Sequence, residues 1–183
     1  VAAVLGEQGE LALLEFLAGE RAPLLQSLVA RGLLRPVRDG LGQDGLRFTH
    51  ALVREAAYDR VQLADRVATH RAAAEWYAVL PVSQVLESQA SHLEQAVTLQ
   101  EPDCDLLRRT VEAMVLFARS VEEERTRVAH DTLVRARALV EARPDCVTDV
   151  LQLDLALASV CFIAGREEES AAAARHAVAL AGD

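Results

Sequence analysis

The 183-residue chain has no lysine and no asparagine, and only one isoleucine, one methionine and one tryptophan. Without lysine it cannot contain a P-loop, whose lysine reaches the phosphates of a bound nucleotide. With aromatic residues at 4%, the core has to be filled by Leu, Val and Ala. The three cysteines, Cys104, Cys146 and Cys161, are odd in number and too far apart for the CxxC spacing of a zinc or redox motif. They are expected to be reduced, buried small apolar residues of a cytoplasmic protein. The longest apolar run, "LALASVCFIA" from Leu155 to Ala164, is about half the length that spans a bilayer and reads as a buried helix. Glu7 and Glu10 stand where a signal peptide would carry cationic residues, so none is expected. No HExxH, no GxSxG and no clustered set of metal ligands appears, and no catalytic or metal-binding residue is assigned.

The charge balance is one-sided. All 19 basic residues are Arg, against 28 acidic residues, for a net charge of −9. Such a chain is not built as a whole to coat nucleic acid or an anionic membrane. Ala, Leu, Arg and Glu dominate, and all are good helix formers.

Only the first third breaks the helical pattern. "ELALLEFLAG" places Leu11, Leu14 and Leu17 on one helical face, and "APLLQSLVARGLL" repeats the spacing with Leu24, Leu25, Leu28 and Val29. Then the period falls to two. "LLRPV" (Leu33 to Val37) and "LRFTH" (Leu46 to His50) read as short strands, separated by "RDGLGQDG", whose Asp-Gly pairs suit the positive φ angles of a hairpin loop. Leu46, Phe48 and His50 would share one face of the second strand. A helix should follow from Ala51 to Val61, with Leu52, Val53, Ala56, Ala57 and Val61 inward and Arg54, Glu55, Asp59 and Arg60 outward. Two helices followed by a β-hairpin is the arrangement of a winged-helix module, with the Asp39 to Gly45 loop as the wing.

Beyond residue 62 every segment reads as helix. The breaks fall at Pro81, at "QEPD" (Gln100 to Asp103), at "RPDC" (Arg143 to Cys146) and at Gly165. Small residues, notably Ala158, Ser170, Ala174 and Ala177, mark positions where neighbouring helices can approach closely. Helix pairs of this kind bury their faces by stacking on one another into a solenoid. The expected fold is therefore mainly α: a winged-helix domain over residues 1–62, a helical connector over 63–100, and helical repeats resembling tetratricopeptide (TPR) repeats over 101–183. Because the chain opens on Val1 and stops just after a helical repeat pattern, it is expected to be part of a longer protein.

The segment "FTHALVREAAYDRVQLADRVATHRAAAEWY" resembles the pattern F-x-H-A-L-V-R-E-A-x-Y followed by H-R-x-x-A-E. That pattern lies after the ATPase module of bacterial STAND-type signalling ATPases, among them cyclase-linked ATPases and large ATP-binding LuxR-type transcriptional regulators. The likeness extends upstream through "VAAVLG" and "LLQSLVARGLLRPV" and downstream through "SHLEQA" to the helix pairs. In related nucleotide-switch proteins, including plant disease-resistance receptors, the comparable motif is Met-His-Asp-Leu, and its histidine contacts the β-phosphate of bound ADP. The resemblance implies that role for His50, with Ala51 standing where the receptor motif has Asp. It implies ATP or ADP as the cofactor of an upstream nucleotide-binding domain in the same polypeptide, with none held by this segment alone. A protein or peptide partner is implied for the repeats, and no membrane. A phosphate contact at His50 is physically coherent, because a strand end opening onto a helix N-terminus offers unpaired N–H groups and a positive dipole. The plainer reading is that His50 caps the helix or packs beneath the wing.

The alternative function is a DNA-binding winged-helix regulator with a TPR-like effector domain. Residues 1–62 hold seven Arg against eight acidic residues, and the second helix offers only Arg21, Gln26, Ser27 and Arg31 as polar candidates. A DNA reader stands in a basic patch, so direct DNA contact is not expected. Residues 63–183 carry 12 Arg and 20 acidic residues, a balance suited to protein or peptide binding. The remaining histidines, His70, His92, His130 and His176, each stand alone on a helix and are expected to be surface or interhelical polar contacts. Trp76 and Tyr77 are expected in a core.

Overall fold

A computed structural model describes residues 1–38, 42–80, 85–146 and 150–181. Those residues form ten α-helices and a three-stranded antiparallel sheet, so the chain is mainly α. It divides into two compact units, Val1–Trp76 and Tyr77–Asp183. None of the described helices is long and apolar enough to cross a membrane.

In the first unit α1 (Ala2–Leu5) leads into β1 (Gln8–Glu10), followed by α2 (Leu11–Ala18) and α3 (Pro23–Ala30). The hairpin β2 (Leu34–Arg38) and β3 (Asp44–Phe48) comes next, then α4 (Ala51–Asp59) and α5 (Leu63–Ala78), whose last two residues fall in the second unit. Pro23 sits in the first turn of α3, where its missing N–H costs nothing. The sheet order is β1-β3-β2, so the hairpin gains a third strand that the sequence pattern did not suggest. Leu34 lies opposite Phe48 and Pro36 opposite Leu46. This register turns Leu34 and Leu46 to the face where Leu14 of α2 and Leu25 of α3 pack, making a compact leucine core.

Glycine sets the sheet's tightness. A Cβ on Gly45 would stand 2.8 Å from the Gly9 carbonyl oxygen, so the β1–β3 approach requires glycine there. Gly45 was expected in the wing turn; it is a strand residue instead, and a positive φ of 80° occurs at Gly42. The Asp39-Gly40 pair lies outside the described residues.

Several expected core positions face outward. Leu24 is 58% exposed and Leu52 is 76% exposed. On α4 Ala56 is also exposed, while Val53, Arg54, Ala57 and Tyr58 are half-buried. The helix is therefore rotated from the expected setting. Arg54 donates from Nη1 to the Ala3 carbonyl at 3.4 Å, and its guanidinium lies 5.9 Å from the Tyr58 ring centre. Arg66 covers the same ring at 4.0 Å while its Nε donates to the Val61 carbonyl. Two cations on one aromatic ring fix this face of α4 against α1 and the start of α5.

The second unit contains α6 (Leu86–Leu99), α7 (Cys104–Val121), α8 (Thr126–Ala142), α9 (Val150–Ile163) and α10 (Glu167–Ala181). Each packs on the next in sequence. Asp103 caps α7, accepting from the Leu106 N–H at 2.7 Å. Leu107, Met114, Leu133, Leu153 and Val160 are fully buried, which is the aliphatic core that the scarcity of aromatics requires. Ser170 Oγ donates to the Ala158 carbonyl at 2.8 Å, so α9 and α10 approach closely at two of the expected small residues. Ala177 is buried there as well, whereas Ala174 is exposed.

Two further expectations are corrected. "LALASVCFIA" is not a buried helix, because Leu155, Phe162 and Ile163 are exposed at 44%, 74% and 44%. Its other face, with Ala156, Val160 and Cys161, carries the packing. Nor are all three cysteines reduced: Cys104 and Cys146 form a disulfide across 42 residues, and only Cys161 is free. The bond fastens the start of α7 to the turn after α8. Arg143 reinforces it, donating to the Pro102 carbonyl and to both carboxylate oxygens of Asp145 at 2.9 Å.

Candidate functional site

His50 stands at the junction between β3 and α4. The strand stops at Phe48, so the expected shared face of Leu46, Phe48 and His50 ends before the histidine. Phe48 stays with the leucine core, and the chain turns outward at Thr49. Thr49 fixes that turn: its hydroxyl donates to the Gly32 carbonyl at 2.8 Å and its N–H donates to the Leu33 carbonyl at 3.2 Å. His50 then takes the N-cap position of α4 with extended backbone, φ −140° and ψ 133°.

Its side chain does neither of the plain structural jobs. It makes no capping hydrogen bond, and it is exposed rather than packed beneath the hairpin. The first N–H groups of α4 thus gain no side-chain acceptor from it.

Beside this junction is a cavity of about 240 Å³ lined by Glu7, Arg35, Arg47, Phe48, Thr49 and Ala51. The lining takes in the residues on either side of His50 but not His50 itself. Arg35 and Arg47 are directly opposite each other in the β2–β3 register. Like charges in that position repel unless an anion lies between or beside them. Arg47 is partly answered by Glu7, at 3.1 Å in an exposed ion pair. Arg35 has no partner among the described residues.

The second unit contains a different kind of concavity. A groove of about 330 Å³ has Glu87 and Glu94 of α6 on one wall, Asp131 and Arg135 of α8 on the other, and Met114 and Phe117 of α7 at its floor. Its charges are mostly spent within the protein. Arg125 binds both carboxylate oxygens of Glu87, at 2.7 and 3.1 Å, and Arg135 binds Glu94 at 2.5 Å. The hydrogen bond from Arg125 holds the Glu87 carboxyl below its ordinary pKa.

The histidines that looked solitary in sequence are not solitary in space. His92 stacks on Tyr77 with 5.9 Å between ring centres, and burial pushes its pKa down to about 4. Tyr77 is buried, as expected of that aromatic pair, and Trp76 is half-buried. His70 is buried on α5. His176 of α10 places Nδ1 2.5 Å from an Asp154 carboxylate oxygen, and Arg137 of α8 pairs with the other oxygen. Asp154 is 1% exposed, so a buried carboxylate is held by one cation-forming side chain from each flanking helix. Reading the sequence missed this residue. The signal was present: one acid inside the apolar stretch "VLQLDLALASV" must find a partner if that helix is packed.

His130 belongs to another cluster that linear spacing concealed. It lies with Cys161 and Glu169, one donor atom from each within 4.8 Å of the others. These residues come from α8, α9 and α10, and Arg166 stands among them with Nη1 3.1 Å from His130 Nε2. Glu169, although exposed, reaches this cluster, 3.5 Å from His130 Nε2.

No family model matches the chain, and no match is found among curated proteins or solved structures.

Proposed function

We propose that the chain is a regulatory, protein-interacting segment of a multidomain ATP-dependent signalling or transcriptional regulator, gating a nucleotide-binding module in the same polypeptide. The first unit is read as a winged helix. In its support, the helices α1, α2 and α3 alternate with strands in the order helix, strand, helix, helix, strand, strand, and the sheet order is β1-β3-β2. The second unit is read as a TPR-like solenoid, supported by consecutive helices that each pack on the next. Both assignments follow the resemblance of the "FTHALVREAAY" segment.

The observation that carries the regulatory reading is the uncommitted state of His50. It is exposed, makes no cap, and stands beside a cavity containing two opposed arginines. An imidazole N–H, two guanidinium groups and the N-terminus of α4 would converge on an anion, and the phosphates of a nucleotide bound by the neighbouring module have that chemistry. With ADP in place this contact would hold the module in its resting state. In the second unit the groove between α6 and α8 would take the protein or peptide partner. On this reading the segment regulates and does no chemistry of its own.

In the polypeptide that includes the nucleotide-binding module, His50→Ala is expected to speed ADP release by about tenfold or more, the loss of one hydrogen bond to a charged group. Basal output should rise in parallel. Unchanged ADP retention removes the sensor role. The Arg35–Arg47 pair also favours a second reading, contact with DNA phosphates by the hairpin. Binding of the isolated chain to duplex DNA that weakens steeply with salt would put that reading first.

A further inference from the structure

We propose that His130, Cys161 and Glu169 form a binding site for a divalent transition-metal ion of zinc-like character. The site lies in the second unit and does not depend on the reading of His50.

The three residues supply one imidazole nitrogen, one sulfur and one carboxylate oxygen, within 4.8 Å of one another. Zinc bound tetrahedrally by such donors has bonds of about 2.0–2.3 Å, which sets its ligand atoms roughly 3.3–3.8 Å apart. His130 Nε2 and the Glu169 carboxylate are already at 3.5 Å. The sulfur has at most about 1 Å to close, within the reach of side-chain rotation. A thiolate and an imidazole together select zinc-like ions over magnesium or calcium, which prefer oxygen.

The local fold builds this arrangement. Gly165, at φ 70°, ends α9, and the Arg166 N–H turns back to donate to the Cys161 carbonyl at 2.8 Å. That turn lays the first residues of α10 over the end of α9, so Glu169 comes to Cys161. His130 approaches from α8 and is 91% buried, being 9% exposed.

Two features are hard to explain as packing alone. His130 Nδ1 is buried and has no hydrogen-bond partner among the described residues, although an Asp131 carboxylate oxygen lies 3.5 Å away. A metal-bound histidine characteristically donates its second N–H to a carboxylate, and a small ring rotation on metal binding would complete that contact. Next, Arg166 places a guanidinium 3.1 Å from His130 Nε2 and 3.5 Å from Glu169, where it supplies positive charge to the same donors. Its side chain is 45% exposed and can leave for solvent. Metal binding would displace it and release the Cys161 thiol proton to solvent as the metal–sulfur bond forms; no electron transfer is involved.

Cobalt(II) is the probe. Added to the metal-free 183-residue chain, it should give a thiolate-to-cobalt charge-transfer band in the near ultraviolet that saturates at one equivalent. Cys104 and Cys146 are tied in their disulfide and cannot contribute to it. Cys161→Ser should abolish the band while leaving the helical circular dichroism intact. His130→Gln and Asp131→Asn should each weaken binding, the latter by about tenfold or more as an outer partner. Arg166→Ala should strengthen it by removing the competing cation; a cluster serving only to pack the helices gains no affinity from that change. Absence of the band, its persistence in Cys161→Ser, or equal binding by the Arg166→Ala variant overturns the proposal.

Discussion

The junction at His50 and the interior of the second unit differ in how their charged side chains are paired. Asp154 is held by Arg137 and His176, Glu87 by Arg125, and the half-buried His92 stacks on Tyr77. These contacts tie α6 to the start of α8, and α9 to both α8 and α10. At the β3–α4 junction, by contrast, His50 makes no capping hydrogen bond, and Arg35 faces Arg47 with no partner among the described residues. On the proposed reading, that corner, with an exposed histidine beside two opposed arginines, is where a ligand would bind.

The contrast can be tested by how much each region contributes to stability. The largest effect is expected in the helical core: Leu107→Ala, at a fully buried position, should cost about 3–5 kcal/mol in a denaturant titration. Replacing both Cys104 and Cys146 by Ser opens a 42-residue loop and should cost about 3–4 kcal/mol. The same bond predicts one titratable thiol in the unfolded, unreduced chain and three after reduction.

The next effect is a pH dependence. His92 has a folded pKa of about 4, below the ordinary histidine value of 6.5, so the unfolded chain binds the additional proton between them. The stability it confers is fully present above pH 6.5 and falls as the pH drops to 4, by about 3 kcal/mol in total. Glu87 adds to the loss in more acidic solution, because its carboxyl is also held below its ordinary pKa. His92→Gln should flatten the slope between pH 6.5 and 4. The smallest effect belongs to the first unit: Leu52→Gln, at an exposed position, should change stability by less than about 0.5 kcal/mol. A large loss there would mean that α4 buries the face first expected of it.

What could be read in the sequence followed the range over which it is encoded. The change of period near Leu33 located the hairpin, and the Pro and Gly breaks located most of the helices. The strand β1 escaped because Gln8, Gly9 and Glu10 carry no alternation of their own; pairing with β3 makes them a strand. Leu24 and Leu52 were misplaced because a helix of eight or nine residues has few positions to define its face, and its neighbours decide the rotation. Helix α9 shows the same limit, since an apolar run cannot say which of its sides will be covered.

Sites assembled from several helices were the least legible. His50 could be proposed from sequence because the residues that flank it there also flank it in space. The group of His130, Cys161 and Glu169 could not, since it exists only once α8, α9 and α10 have packed. The disulfide is hidden for the same reason.

The most direct test of the uncommitted corner is a pyrophosphate titration followed by nuclear magnetic resonance of histidine and arginine side chains. The account predicts that His50, Arg35 and Arg47 shift together and saturably while His92 and His130 stay still, and that Arg35→Gln abolishes the response. No change at His50, or an undiminished change in Arg35→Gln, would contradict it.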